Sequence, residues 1–213
     1  MALNRADVVE AALAVLDEVG IDGLTLRRIA DRLEVKAPAL YWHFASKRDL
    51  TDAMATELMR RALPDTPPSG DWRADLAAGA HRLRAVLRAH TDGARVFSGS
   101  KFTDIDVVRA SEAPLRALVD AGFELRDAAL ASSTLRDLVV GFVIEEQEVF
   151  GIDGAPRPGY DPAARAAAIG EREYPLAVAA GPTAWGAPDE RFADAVRFLI
   201  DGLAARRREG GAT

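Results

Sequence analysis

Apolar residues recur along most of this chain at three- and four-residue intervals, the period of an amphipathic helix. Val8, Ala11, Ala12, Val15, Leu16 and Val19 form one such stripe, and Gly20 reads as its C-terminal stop. Residues 21–24 predict a turn. Thr25 then stands as an N-cap before a helix over 26–33. Glu34, Val35 and Lys36 break the pattern, and Pro38 suits the first turn of a short helix over 37–43. Ser46 caps a longer helix with Leu50, Met54, Leu58 and Leu63 on one face, ended by the proline-rich run 64–70. Trp72, Leu76, Ala80, Leu83, Val86 and Leu87 predict a long helix that stops near Asp92 and Gly93. A short apolar piece follows at 94–97, then helices over 111–121 and 125–150. Residues 151–188 hold six glycines and six prolines and read as a long loop, with at most short helical inserts at 163–169 and 176–180. A last helix is predicted over 189–208, with Phe192, Val196, Leu199, Ile200 and Leu203 inward, before a fraying tail. No alternation of period two runs beyond four or five residues, so the expected fold class is all-α.

Composition narrows the function classes. A chain of 213 residues suits one or two domains and can bury a real core. The absence of cysteine excludes a disulfide scaffold, a thiol nucleophile and a Cys-ligated zinc site. With histidine only at His43, His81 and His90, no metal site and no cofactor are predicted. No apolar run approaches the ~20 residues of a membrane span, and the first residues lack the apolar core of a signal peptide. The chain therefore reads as a soluble cytoplasmic protein with no membrane partner. Its 42 alanines favour helix.

A net charge of −6 taken alone argues against a nucleic-acid partner. Resolved along the chain, the picture inverts. Residues 25–48 carry Arg27, Arg28, Arg32, Lys36, Lys47 and Arg48 against Asp31 and Glu34, a net +4. Residues 1–24 carry −4 and the remainder −6. A cationic island in an acidic protein is the electrostatic footprint of a localised anion contact. The island coincides with two short helices joined by a tight turn, and Ile29, Ala30 and Leu33 can pack against Val35, Leu40 and Phe44. Such a pair is a helix-turn-helix, whose second helix enters a DNA major groove. An ordinary helical hairpin in a bundle has the same spacing.

The residues themselves point further. Leu24–Ala30 (LTLRRIA), Lys36–Phe44 (KAPALYWHF) and Lys47–Leu50 (KRDL) resemble the TetR family of bacterial transcriptional regulators, and within it the tetracycline-repressor subfamily. The run His90–Val96 (HTDGARV), Gly122-Phe123, the Glu145–Glu148 segment and Ile200–Leu203 continue the likeness, which is dense over 5–60, patchy over 72–150 and weak over 151–188. The resemblance implies an all-α homodimer: an N-terminal helix-turn-helix DNA-binding domain over 1–46 and a C-terminal helical ligand-binding and dimerisation domain over 47–213, with 47–63 connecting them. It implies double-stranded operator DNA as partner, contacted by Thr25, Arg27, Lys36, Ala37, Pro38, Ala39, Tyr41, Trp42, His43 and Lys47. Trp42 can instead brace the motif against the next helix, and Tyr41 can instead be half-buried core. Alanine at 37 and 39, where relatives carry base-bonding side chains, implies a different operator read more by Arg27, Lys36 and DNA shape.

The expected pocket departs from the subfamily as well. Phe97 stands where relatives place a magnesium-binding histidine, Gly79 where they place a polar amide, and Leu63 where they place another histidine. Phenylalanine has no lone pair for a hard cation, so a tetracycline–magnesium complex is not the expected effector. Leu63, Gly79, Leu83, Leu87, Phe97, Phe102, Leu115 and Leu118 are expected to line a mostly apolar cavity, with Ser132, Ser133 and Glu145 as polar points. Glu145 alone can equally sit at the dimer boundary. Leu135, Leu138, Phe142, Phe192, Val196, Leu199 and Leu203 are expected at a four-helix intersubunit bundle, and the 151–188 loop over the partner's pocket. The function so implied is a ligand-responsive repressor of an efflux or biosynthetic gene; an activator or a regulator without an effector has the same fold. No phosphate loop is present, and the Ser132-Ser133-Thr134 patch has no base beside it, so an enzyme is not expected.

Overall fold

A computed structural model describes residues 3–151 and 154–210 of the chain. The described residues form twelve helices joined by loops, with no strand and a single isolated β-bridge between Phe150 and Pro156. They divide into two compact units, Met1–Ile144 and Glu145–Thr213.

The first helix, α1 (Arg5–Gly23), opens on a capping box: the Asn4 side chain accepts the Asp7 N–H at 3.0 Å and the Asp7 carboxylate accepts the Asn4 N–H at 3.3 Å. Gly20 interrupts it at φ 68°, a conformation glycine adopts without strain, yet the helical path resumes to Gly23 rather than ending. The resumption has a distant cause: the Ile21 N–H is taken by the Asp92 carboxylate at 2.8 Å. α2 (Leu26–Arg32) is capped by the Thr25 hydroxyl, which accepts from the Arg28 N–H at 3.3 Å. The turn to α3 (Ala37–Tyr41) passes through Glu34 at φ 55° and is closed by Val35 N–H on the Ala30 carbonyl at 3.0 Å. α4 (Lys47–Ala62) starts at the Ser46 cap and stops two residues before Pro64, with Leu63 as its C-cap. α5 (Trp72–Arg88) and α6 (Gly93–Phe97) follow as expected.

α7 (Ile105–Arg109) was not legible in the apolar pattern; the Asp104 side chain caps it on the Asp106 N–H at 2.9 Å. α8 (Glu112–Asp120) and α9 (Leu125–Val149) match the predicted spans closely. The helical inserts expected at 163–169 and 176–180 within the 151–188 loop are α10 (Pro162–Ile169) and α11 (Pro175–Trp185), the second longer than expected and running on through Pro182. The Arg165 guanidinium lies over the Trp185 ring at 4.8 Å, a contact that ties the two exposed helices together. α12 (Pro188–Gly210) closes the chain.

The core of the first unit is built from the predicted stripes. Val8, Ala12, Leu16, Ile29, Leu40, Phe44, Leu50, Met54 and Leu58 are buried, and Trp72 meets Phe123 edge-to-face at 4.9 Å. The stripe assigned to a subunit interface is corrected in part. Leu135, Phe192 and Val196 are buried within one chain and keep no free surface for a partner. Leu138, Phe142, Leu199 and Leu203 are half-buried. The large apolar side chain that α12 exposes is Phe198, at 75%. Helical period alone cannot separate a core stripe from an interface stripe, because both recur every 3–4 residues.

Candidate DNA interface and effector cavity

The helix-turn-helix sorts its aromatic run by burial. Leu40 and Phe44 are fully buried, whereas Tyr41 is 58% and Trp42 90% exposed. Tyr41 is therefore not core, and Trp42 braces nothing. Lys36 and Pro38 are exposed, and Ala37, Ala39 and His43 are half-buried on the same short helix and its C-terminal end. Arg5 holds the end of the motif from below: its guanidinium lies 4.1 Å over the Phe44 ring, donates to the His43 carbonyl and pairs with Asp49 at 3.6 Å. No local pattern links positions 5 and 44, so sequence reasoning missed Arg5.

The cationic island is not uniformly available. Arg32 is paired with Glu18 at 2.5 Å, and Arg48 with Asp52 at 3.1 Å and with the Gly99 carbonyl. Among the described residues the side chains of Arg27, Arg28 and Lys36 have no hydrogen-bond or ionic partner, and all three are exposed. Lys47 donates to the Ile21 carbonyl at 3.2 Å, beside the kink in α1. Among the described residues, the exposed cations of the island without a carboxylate partner are thus Arg27, Arg28, Lys36 and Lys47.

A polar network joins α1 to the start of α6. Asp17 accepts the Thr91 N–H at 2.9 Å and faces His90 Nδ1 at 3.0 Å, and Asp92 accepts the Ile21 N–H. Arg61 of α4 reaches His90 Nε2 at 3.4 Å and pairs with Glu10 and Glu57. Burial works against the charge on Arg61, but the two carboxylates override it and raise its pKa above the ordinary arginine value. Farther along, Arg60 meets Asp104 at 2.6 Å. The Asp106 N–H, and then the Arg60 guanidinium, hold the Asp104 carboxyl below its usual range.

The same unit holds a cavity of about 740 Å³, within the roughly 300–1,000 Å³ of small-molecule sites. Its wall comes from the last turn of α4 (Met59, Ala62, Leu63), the 64–68 loop, α5, α7, α8 and α9. Of the expected ligand residues, Leu63, Gly79, Leu83, Phe102, Leu115, Leu118, Ser132 and Ser133 stand on it. Three do not. Leu87 and Phe97 are buried in the packed interior, Phe97 tilted against Phe102 at 5.6 Å between centroids, and Glu145 is exposed outside the wall. Both serine hydroxyls donate to carbonyls of their own helix, Ser132 to Ala128 at 2.9 Å and Ser133 to Leu130 at 3.0 Å, so they remain as acceptors only. Leu135, assigned above to an interface, lines the cavity instead, beside Arg136 and Val139. Sequence reasoning also missed Leu76, Arg82 and Val107. Arg82 reads as a solvated helix position, and Val107 belongs to the helix that was not foreseen.

Phe97 is not itself a wall residue, but its ring packs on Phe102, which is. Among the described residues no group of three or more His, Asp or Glu side chains is placed to hold a metal ion. No described helix is long and apolar enough to cross a membrane.

Residues 8–54 match the family described as bacterial regulatory proteins, tetR family, and residues 63–207 match the tetracyclin repressor-like C-terminal domain. The chain is 38% identical over 207 residues to the tetracycline repressor protein class A from transposon 1721 of Escherichia coli, covering 96% of this chain and 92% of that protein. It is similar in structure to a possible TetR family transcriptional regulator from Streptomyces coelicolor A3(2), with a TM-score of 0.82, 37% identity and coverage of 95% and 99%. A TetR variant from Acinetobacter baumannii AYE in complex with minocycline superposes with a TM-score of 0.71 at 32% identity, over 97% of this chain and 99% of that one. These homologues are transcriptional regulators and not enzymes. With a helix-turn-helix that turns its free cations and aromatics outward, and matches that run from residue 8 to residue 207, the chain belongs to the TetR family of bacterial transcriptional regulators.

Proposed function

We propose that this protein is a ligand-released repressor: a homodimer that binds a palindromic operator through residues 1–46 and lets go when a small, largely apolar effector enters the cavity of the 47–213 region. The target is an efflux or biosynthetic gene. The reading is carried by α4. Its first turn holds Lys47 on the Ile21 carbonyl and Arg48 on the Gly99 carbonyl, and its last turn forms cavity wall at Met59 and Ala62. One 16-residue helix therefore touches both the DNA-reading end and the ligand space. A ligand that prefers one position of α4 shifts the population of the DNA-reading heads. Half-sites on one face of DNA repeat every 34–36 Å or so, so a modest change in head separation releases the operator.

The DNA contacts proposed are Thr25, Arg27, Lys36, Ala37, Pro38, Ala39, Tyr41, Trp42, His43 and Lys47. Replacing Lys47 by Ala together with Tyr41 by Phe should weaken binding to an upstream operator fragment by about 1–3 kcal/mol and lower the salt slope by about 1. Fluorescence polarisation across a salt series reads both, and unchanged affinity would remove these residues from the interface. The relatives' drug gives a second check. Tetracycline with magnesium should leave the operator complex intact, because Phe97 has no lone pair for a hard cation and is not part of the cavity wall. Release at micromolar drug in the same assay would contradict the proposed pocket.

A further inference from the structure

We propose that the cavity is built for an organic acid, a largely apolar molecule whose carboxylate is met by Arg82. The inference rests on the cavity being the effector site and names the chemistry of its occupant. Arg82 lies on α5, one turn beyond Gly79, and both line the wall. Its Nη2 sits 3.8 Å from where a Cβ on residue 79 would stand, so the guanidinium lies back along the helix beside Gly79.

What singles out Arg82 is a lack of counter-charge combined with partial burial, since Arg27 and Arg28, also unpaired, are exposed to solvent. Arg5, Arg32, Arg48, Arg60 and Arg61 are each paired with a carboxylate. Arg82 is half-buried, and its one hydrogen bond is a long one from Nε to the Ala62 carbonyl at 3.4 Å. Among the described residues no carboxylate lies within ion-pair distance of it. The other charges of the wall do not substitute. Both oxygens of Asp75 accept the Ser69 N–H, at 3.0 and 3.1 Å, Asp65 is exposed, and Arg136 faces its neighbour Asp137 at 3.5 Å. A guanidinium keeps its proton in any protein setting, so a partly desolvated one in an apolar wall cannot relieve itself by neutralising. It is satisfied by an anion, and its planar fork fits a carboxylate in two parallel hydrogen bonds.

The test compares two probes of equal shape, anthraquinone-2-carboxylate and anthraquinone-2-carboxamide, by isothermal titration calorimetry at neutral pH. The full-length protein should bind the carboxylate about tenfold or more tighter than the amide. Arg82→Gln should bring the two within about twofold, and Arg82→Lys should retain part of the preference, since it keeps the charge but not the fork. Thermal melts of the variants check that each is folded. Equal binding of both probes to the unaltered protein, or a preference that survives Arg82→Gln, would overturn the inference and leave the cavity reading standing. Binding of neither probe would overturn both.

Discussion

Replacing Phe44 with alanine should cost about 3–5 kcal/mol of stability, at the upper end of what core truncations do. The ring is fully buried at the end of the helix-turn-helix, its own N–H bonded to the Leu40 carbonyl at 2.9 Å. It is also the surface on which Arg5 rests at 4.1 Å, and Arg5 in turn holds the His43 carbonyl and Asp49. Truncation therefore removes the transfer free energy of the ring, leaves a void, and loosens an arginine that clamps α1 to the motif. Trp42 provides the contrast two residues away. At 90% exposure its truncation should change stability by no more than about 0.5 kcal/mol. Urea unfolding separates the cases: Phe44→Ala should lower the midpoint with an unchanged slope. A loss under about 1 kcal/mol would mean that the ring is not the keystone of this end of the motif.

That contrast shows where sequence reading stops. The Thr25 and Ser46 caps, the Pro38 first turn and the helical stripes were legible because each depends on residues within four positions of one another. So was the helix-turn-helix, whose turn is closed locally. What a side chain meets across the fold was not. The run Tyr41-Trp42-His43-Phe44 gives no local sign of which ring is core. The island's net +4 contains Arg32 and Arg48, which are spent on Glu18 and Asp52. The five-residue α7 is too short to show a period, yet it supplies Val107 to the cavity. Leu87 and Phe97 have the right type for a ligand wall and lie behind it, while Arg82 has the wrong type and lies on it. The helix α11 persists through Pro182, against the expectation from composition. Residues 206–213 were expected to fray; α12 is described through Gly210, and 211–213 lie outside the described residues.

Gly93→Ala should be comparably severe, at about 3 kcal/mol, for a reason of close approach rather than lost burial. Gly93 is buried at the first position of α6. A Cβ there would stand well inside contact with the Leu87 carbonyl oxygen and 3.2 Å from both the Leu87 carbonyl carbon and His90 Cβ. The obstacle is backbone, which cannot swing aside as a flexible side chain can. Nor can the segment shift as a whole. Thr91 N–H is held by Asp17, Gly93 N–H by the His90 carbonyl at 3.0 Å, and Asp92, already in the left-handed region at φ 55°, holds Ile21 N–H. Relief must come from breaking one of these bonds, and two of them tie α6 to the DNA-reading end of α1. The same substitution at Gly79 makes the comparison. There a Cβ meets only Arg82 Nη2 at 3.8 Å, an ordinary contact in a helix interior, so Gly79→Ala should be neutral or stabilise by up to about 1 kcal/mol. Urea unfolding of both variants, with operator binding measured on each, reads the difference. Native stability in Gly93→Ala would show that the α1–α6 junction has slack. Loss of stability together with operator affinity in that variant, but not in Gly79→Ala, would place the rigid joint of the regulator at Asp92-Gly93.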